Sequence, residues 1–325
     1  MQPVMQPTEA APQAPATRTA TPTATPTATR TPEGDSEVRA GTLNIRWFPD
    51  GDAQGPGEHT TDVDMLAVSI ASLDVDILAV QELLLHERGE RALARLRERL
   101  DSLTHGQWEV LLDGCPRDEG RQHVGLLYNA SKAELLGSVD VDALSGNERG
   151  GGCDGHMRPG LAGAFRFRTG VDGWFVSVHF DSGRDDRAFE RRGRAFESLP
   201  ALYDALRGVY DDHDIIVLGD MNTMGSDRGV SNQDELRGVE AMLDRAHYRR
   251  LWLEPGCTEI SGGRAAMLDH VVVSDDMSEV VPSMRARVGG PCAESRCRVS
   301  REDPWLAHIS DHCPVTFSIS AQGDD

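Results

Sequence analysis

The sequence predicts an α/β domain in which two sheets are covered by outer helices. From Val38 onward, strand-like and helix-like segments are mixed. Several consecutive strand-like segments have no helix between them, which argues against a simple parallel doubly wound sheet. The chain has 325 residues and is 39% hydrophobic, enough to bury a large core. A folded unit over residues 37–320, after a leader of residues 1–36 and before a tail of residues 321–325, fits the size range of one domain.

Residues 1–36 are mostly Pro, Ala, Thr and Gln, with a four-residue echo over residues 19–32 and almost no aliphatic bulk. Such a segment cannot bury enough surface to fold. It reads as a disordered leader or as an extended stalk, open to O-glycosylation, that tethers the domain at a cell surface. In the domain, residues 38–47 read as a strand, 63–73 as an amphipathic helix and 75–80 as a buried strand ending in Gln81-Glu82. Residues 84–103 form a helical pattern with Leu93, Leu96, Leu100 and Leu103 on one stripe. Strands are predicted at 108–112, 123–129, 135–141, 161–168 and 174–180, with a glycine-rich loop at 140–159. A long helix over 186–210, a strand over 215–219, a helix over 233–246 and strands near 267–274 and 312–320 complete the chain.

Net charge is -20 with pI near 4.9, so the protein as a whole repels polyanions, and a nucleic-acid or phospholipid partner needs a local basic patch or bound cations. No run approaches the roughly 20 apolar residues that span a bilayer, and a signal-peptide layout is missing. The protein is therefore read as secreted or surface-tethered with its signal removed, the alternative being cytoplasmic. Cysteines 115, 153, 257, 292, 297 and 313 form an even set without zinc spacing. Two or three disulfides are expected, with Cys292 and Cys297 close enough to close a small loop; free buried thiols are the alternative.

The chemistry centres on residues 215–222, Ile-Ile-Val-Leu-Gly-Asp-Met-Asn, a buried strand that delivers Asp220 and Asn222 to its C-terminal end. Alone, Asp220 could merely cap the turn after the strand. Other polar groups sit at strand ends: Asn44 in Thr-Leu-Asn-Ile, Glu82 in Ala-Val-Gln-Glu, His179 in Ser-Val-His-Phe, Asp269-His270 in Met-Leu-Asp-His-Val, and Asp311-His312 in Ser-Asp-His-Cys-Pro-Val. Strand ends can converge from anywhere in a sequence.

These blocks, in this order, resemble the endonuclease/exonuclease/phosphatase superfamily; the Gly-Asp-Met-Asn and Ser-Asp-His-Cys-Pro-Val blocks are the specific ones. The resemblance implies a four-layer sandwich of two mainly antiparallel β-sheets flanked by helices, and phosphoester cleavage with a divalent metal. Glu82 suits Mg²⁺ as a hard oxygen ligand, with Asn44 as a neutral oxygen beside it and Asp311 helping to hold the metal or the leaving oxygen. Mn²⁺ and Ca²⁺ are alternatives. Bland readings exist: a helix N-terminal acid for Glu82, and a strand-end amide for Asn44. Asp220 would orient and deprotonate the attacking water, with Asn222 as its partner. His312 polarised by Asp269 resembles the family's histidine-aspartate pair and would stabilise transition-state charge, while His179 binds the scissile phosphate. Arg158, in Met-Arg-Pro-Gly, resembles the family's Arg-Pro segment and would hold phosphate, or else is a surface loop arginine. His270 departs from the family's usual aromatic and receives no role.

Superfamily substrates include nucleic acids, nucleotides, inositol phosphates and sphingomyelin. Arg184, Arg187, Arg191 and Arg194 recur at spacings of three, four and three on one helix face, which could follow a phosphate backbone or form a solvated face paired with Asp185, Asp186 and Glu190. Aromatic residues are only 5% and no loop concentrates them, which disfavours a membrane-inserting lipase. The expected function is a metal-dependent phosphodiesterase acting on nucleic acid, by in-line attack of water and without a stable protein partner. The alternatives are a sphingomyelinase-like or inositol-phosphate phosphoesterase and an inactive binding module.

Overall fold

The computed structural model describes residues 37–118, 120–154, 157–254, 256–280, 284–298, 300 and 302–321; the leader and all but the first residue of the tail lie outside these. The chain begins with β1 (Glu37–Phe48), α1 (Val63–Ser72), β2 (Ile77–Leu84), α2 (Glu87–Thr104), β3 (Trp108–Leu112), β4 (Gln122–Asn129) and β5 (Ala133–Val141). Next come β6 (Gly160–Phe167), β7 (Asp172–His179), α3 (Asp186–Glu197), α4 (Leu202–Leu206), β8 (Ile215–Asp220) and α5 (Asn232–Arg245). Short strands follow, β9 (Tyr248–Arg250), β10 (Trp252–Glu254), β11 (Glu259–Ser261) and β12 (Arg264–Ala266), then β13 (Asp269–Ser274), β14 (Arg285–Val288), α6 (Gly290–Glu294), α7 (Pro304–His308) and β15 (Val315–Ser320).

Two large sheets result, ordered β10-β14-β15-β1-β2-β4-β3 and β5-β6-β7-β8-β13-β9, with β11 and β12 forming a separate pair. Most pairings are antiparallel; β1 with β2, β7 with β8 and β10 with β14 are parallel. Strand alternation explains the layering. On β8, Ile216 and Leu218 face the core between the sheets, while Ile215 and Val217 face the helices outside. On β2, Ile77 and Ala79 face the inter-sheet core, and Leu78 and Val80 face the helical layer of α1 and α2. Tyr128 and Phe165 meet edge to face across the sheets with centroids 4.9 Å apart. Helix, sheet, sheet, helix is the four-layer sandwich that the resemblance implied.

The long helix expected over residues 186–210 is two helices. Pro200 lies in a 3₁₀ turn between α3 and α4, where it has no N–H to continue the helical ladder. The helix expected from Leu84 starts at Glu87, because β2 runs on to Leu84 and His86 is the N-cap. Leu93, Leu96 and Leu100 are buried as the stripe demands, whereas Leu103 is exposed.

All six cysteines are paired, as Cys115–Cys153, Cys257–Cys297 and Cys292–Cys313. The small Cys292–Cys297 loop does not form. Cys292 lies on α6 in the inter-sheet core against Cys313, and Cys297 follows the helix on the side of Cys257. No described helix is long and apolar enough to cross a membrane.

One buried ion pair ties the outer helices to the loops beyond β7 and β8. Arg192 of α3 is fully buried and its Nε donates to Glu235 Oε1 of α5 at 2.7 Å. Its Nη1 donates to the Asp181 and Gly183 carbonyls, and its Nη2 to the Gly225 carbonyl and Glu235 Oε2. Replacing Arg192 by Met leaves the Glu235 carboxylate buried without its partner, and should lower the unfolding free energy by about 3–5 kcal/mol. Urea denaturation checks this, and a loss below about 1 kcal/mol would show that the pair does not hold the loops.

Candidate active site

The site forms where the inter-sheet core turns polar. Thr42 Oγ1 donates to Gln81 Oε1 at 3.2 Å, and Gln81 Nε2 donates to Ser177 Oγ at 3.3 Å, linking β1, β2 and β7. Two residues further along the same faces come Asn44 and His179. Within the six-stranded sheet, His179 pairs in register with Asp220, and Asp220 with Asp269, so three adjacent strands end in chemistry at one level.

Glu82 reaches the same place by a different device. The register of β2 against β4 shifts between Gln81 and Leu83, and Glu82 has φ 66°. The bulge re-aims its side chain. Arg46 at φ 45°, Trp47 at φ 44° and Asn222 at φ 49° are likewise left-handed, and all four residues border one cleft of about 360 Å³. Such conformations are uncommon outside glycine, and their clustering marks a functional site.

Asn44 is the hub. Its Nδ2 donates to Glu82 Oε1 at 2.9 Å and to Asp220 Oδ2 at 3.0 Å, while its Oδ1 accepts the Arg46 N–H at 3.0 Å. In this orientation the amide bridges two carboxylates with its nitrogen, where the sequence suggested an oxygen ligand. The other Glu82 oxygen accepts the Trp47 N–H at 2.9 Å. His312 Nδ1 lies 2.8 Å from Asp269 Oδ2 and its Nε2 lies 3.8 Å from Asp220 Oδ2. His179 Nε2 lies 3.5 Å from Asp220 Oδ2 and 3.8 Å from Glu82 Oε1. Asn222 donates its N–H to Asp220 Oδ1 and its Nδ2 to the Phe180 carbonyl. Asp311 lines the cleft at its more open side, 3.9 Å from Arg46 Nε. Arg158 is buried and feels the charges of Glu82, Asp220, Asp181 and Asp113. All nine residues singled out in the sequence thus gather about one point.

Burial dominates the electrostatics. It pushes Glu82 above the usual carboxylate range, opposed by the Asn44 hydrogen bond and the His312 charge. It pushes Asp220 up to about 8, against the His312 charge and with that of Asp269. For His312, burial acts downward, yet Asp269, Asp220 and the Asp269 hydrogen bond together outweigh it and hold the ring well above the ordinary histidine value. Burial, with Arg158 and His312 nearby, drives His179 well below that value, so it is neutral. The two rings are thus driven in opposite directions. Burial also lowers Arg158, while the surrounding carboxylates support its charge.

Carboxylate oxygens of Glu82 and Asp220 and a His179 nitrogen lie within 4.8 Å of one another, as do donor atoms of Asp220, Asp269 and His312. Glu82 and Asp220 are carboxylates within this group, and Glu82 and Asp311 face the same cleft. This set of hard oxygens fits a divalent cation.

Several contributors gave no clear sequence signal. Thr258 Oγ1 accepts the N–H groups of Leu268 and Asp269 at 2.9 and 3.0 Å, fixing Asp269. Ser310 Oγ donates to the Asn44 carbonyl and accepts the His312 N–H, joining β1 to the histidine loop. Glu259 lines the cleft and burial pushes it up to about 7. His270 has Nε2 2.8 Å from Thr223 Oγ1, and burial lowers it to about 3. Three of the four stripe arginines are engaged within the molecule, Arg184 with Asp227, Arg191 with Asp181, and Arg194 with Glu148 and the Gly146 carbonyl, while Arg187 is exposed; Arg184 precedes the N-cap of α3, so the four do not share one helix face. These partners come from other segments, and Asp185 is instead the N-cap of α3.

The solved structures share this architecture. D. rerio TDP2 humanized by 14 mutations is similar with a TM-score of 0.58 and 14% identity, covering 88% of this chain and 100% of that chain. D. rerio TDP2 complexed with single strand DNA product gives 0.57 and 14%, covering 87% and 99%. Bacteroides thetaiotaomicron mannosyl-6-phosphatase gives 0.54 and 18%, covering 86% and 98%. No curated protein sequence matches this chain. The sequence model of the Endonuclease/Exonuclease/phosphatase family matches residues 41–312, the span from β1 through the cleft to His312, and the chain belongs to that family of metal-dependent phosphoester hydrolases.

Proposed function

We propose that this domain hydrolyses phosphodiesters of nucleic acid with Mg²⁺ as its cation. The observation that carries this reading is the shared hydrogen bonding of Glu82 and Asp220 to one Asn44 amide, with the cationic His312 ring 3.8 Å from Asp220. Asp220, raised to about 8 by burial, would be brought back into its ionised form by a cation bound beside it; it then orients the attacking water and accepts its proton, and Asn222 fixes the Asp220 carboxylate. His312, held by Asp269, presents positive charge to the oxygen on phosphorus as negative charge develops there. His179 and Arg158 hold the phosphate from the other side. Glu82 and Asp311 would hold the cation, with Asn44 fixing the Glu82 carboxylate; the bound ion supplies charge that offsets the leaving oxygen. Nucleic acid as substrate draws support from the likeness to a TDP2 complexed with single strand DNA product.

A second reading, a compact phosphoester substrate, is favoured by one observation. Arg184, Arg191 and Arg194 are tied up in internal ion pairs and so offer no free row for a phosphate backbone. Mg²⁺-dependent assays on plasmid DNA, RNA, sphingomyelin and inositol phosphates in parallel separate the two; cleavage of a lipid or inositol phosphate alone would eliminate the nuclease reading. The three disulfides support secretion into an oxidising compartment.

Asp220→Ala and His312→Ala should each lower turnover at least about a hundredfold while the protein stays folded. Near-wild-type turnover of either variant would remove that residue from the mechanism. EDTA should abolish hydrolysis of bis-p-nitrophenyl phosphate and added Mg²⁺ restore it; activity that survives chelation would exclude the metal. In the metal-free protein, NMR should find the His312 ring doubly protonated at pH 7.5, about one unit above an ordinary histidine pKa. The charge is retained below the raised value and lost as pH rises through it. Asp269→Asn removes the largest of the charges that oppose burial and should move the ring's pKa downward. A His312 ring already neutral at pH 7.5 in the unmutated protein would contradict this.

A further inference from the structure

The His312–Asp269 pair lies against a third segment, residues 257–260, which touches both of its members. Toward Asp269, Thr258 Oγ1 accepts the Leu268 and Asp269 N–H groups at 2.9 and 3.0 Å. Toward His312 the contact is a short antiparallel ladder. The Cys313 N–H donates to the Thr258 carbonyl at 2.7 Å, the Ile260 N–H donates to the Asp311 carbonyl at 2.8 Å, and Glu259 faces His312 between them. One stretch of backbone therefore fixes both the carboxylate and the ring, whose 2.8 Å approach depends on the two together.

The segment leads into β11, which pairs only with β12 over three residues, and an isolated two-stranded hairpin holds its place weakly. Two disulfides reach it and its neighbour. Cys257, just before Thr258, is bonded to Cys297, and Cys313, just after His312, is bonded to Cys292. Cys292 and Cys297 belong to one turn formed by α6 and its C-terminal end, closed by the Cys297 N–H on the Cys292 carbonyl at 2.9 Å. Gly289, the N-cap of α6, donates its N–H to the Pro314 carbonyl at 2.8 Å, which seats that turn at the start of β15. Cross-links that only restricted the unfolded chain would serve as well elsewhere along these loops. Here each ends one residue from a group that sets the pair, and both start from the same turn.

We infer that residues 257–260, clasped by α6 through these two disulfides, are a positioning element that keeps the His312 ring on Asp269 and aimed toward Asp220, 3.8 Å from its Nε2. Thr258 is the residue through which the element acts on Asp269, and the ladder beside Glu259 is how it acts on His312. The inference rests on the proposed role of His312 and adds what holds its aim. A misplacement of about 1 Å at a reacting group can cost about a hundredfold in rate. Loosening the clasp therefore acts on the chemical step and not on substrate binding.

Two variants test it: Cys257→Ala with Cys297→Ala removes one link, and Thr258→Val removes the hydroxyl with both links intact. On bis-p-nitrophenyl phosphate with Mg²⁺, each should lower kcat about tenfold with little change in KM, as for an interaction made only in the transition state. Thr258→Ser, which keeps the acceptor, should retain most of the wild-type kcat. In a His312→Ala background the same changes should lower kcat less than about twofold, because the ring they aim is gone. A loss of folded protein would instead lower turnover by the same factor in both backgrounds. Equal losses in the two backgrounds, or an unchanged kcat in Thr258→Val, would overturn the positioning role while the assignment of His312 stands. Thr258→Val decides the matter should the disulfide variant not fold. Near-wild-type turnover of His312→Ala itself would overturn both.

Discussion

The register of β8 is the constraint on which the site depends. Asp220 is paired with His179 on one side and with Asp269 on the other, so three strands bring their polar ends to one level. A slip of one residue would turn Asp220 toward the helical layer and put Gly219 in its place. Glycine at position 219 helps fix that register. Its φ is 149°, and a Cβ there would lie 2.0 Å from the Val178 carbonyl oxygen, so the close approach of β7 and β8 admits no side chain. The apolar residues before it, Ile215 to Leu218, alternate between two separate cores, so the strand is anchored on both faces.

The second sheet must bring its residues to the same point, and it does so at a cost in backbone strain. A glutamate in the left-handed region costs about 1–3 kcal/mol. Strand pairing continues on both sides of the bulge, and both Glu82 oxygens are held, one by Asn44 and the other by the Trp47 N–H. Below them, Gln81 joins Thr42 of its own sheet to Ser177 of the other. Arg192 secures the opposite side by tying the loops after His179 and Asn222 to α3 and α5. The reacting groups are therefore held from both sheets and from the outer helices, and strain at Glu82 and Asn222 can persist without relaxing the cleft.

Much of this was legible in sequence because strand ends concentrate chemistry. Asn44, Glu82, His179, Asp220 and His312 each follow a run of alternating or continuous apolar residues, and that pattern located the site before any contact was known. Thr258 and Ser310 were not legible, since a hydroxyl that accepts a backbone N–H leaves no periodic mark. Spacing directed attention to Arg184, Arg187, Arg191 and Arg194, yet Arg184 lies before α3 and Arg192 is the buried one, because the helix turns that position toward α5. The disulfides were legible in number and not in pairing: Cys292 and Cys297 are neighbours in sequence, but the core claims one of them for Cys313. The short strands from β9 to β12 carry three residues each, too few for a period to register.

Charge then determines how such a site can meet a phosphate. With a net charge of -20, and with Glu259 and Asp311 bordering the cleft, the protein provides no long-range attraction for a polyanion. A row of free arginines would neutralise many phosphates and make binding fall steeply with salt. Here Arg184, just before α3, and Arg191 of α3 neutralise carboxylates of the protein itself. Under the proposed function, the groups that would meet substrate are local: the buried Arg158, His312, His179 and the cation that Glu82 and Asp311 would hold. Recognition of a longer substrate would then have to come from short-range contacts that salt screens little. An acidic surface around a small cationic centre would thus favour, under the proposed function, substrates that offer one phosphoester at a time to the cleft.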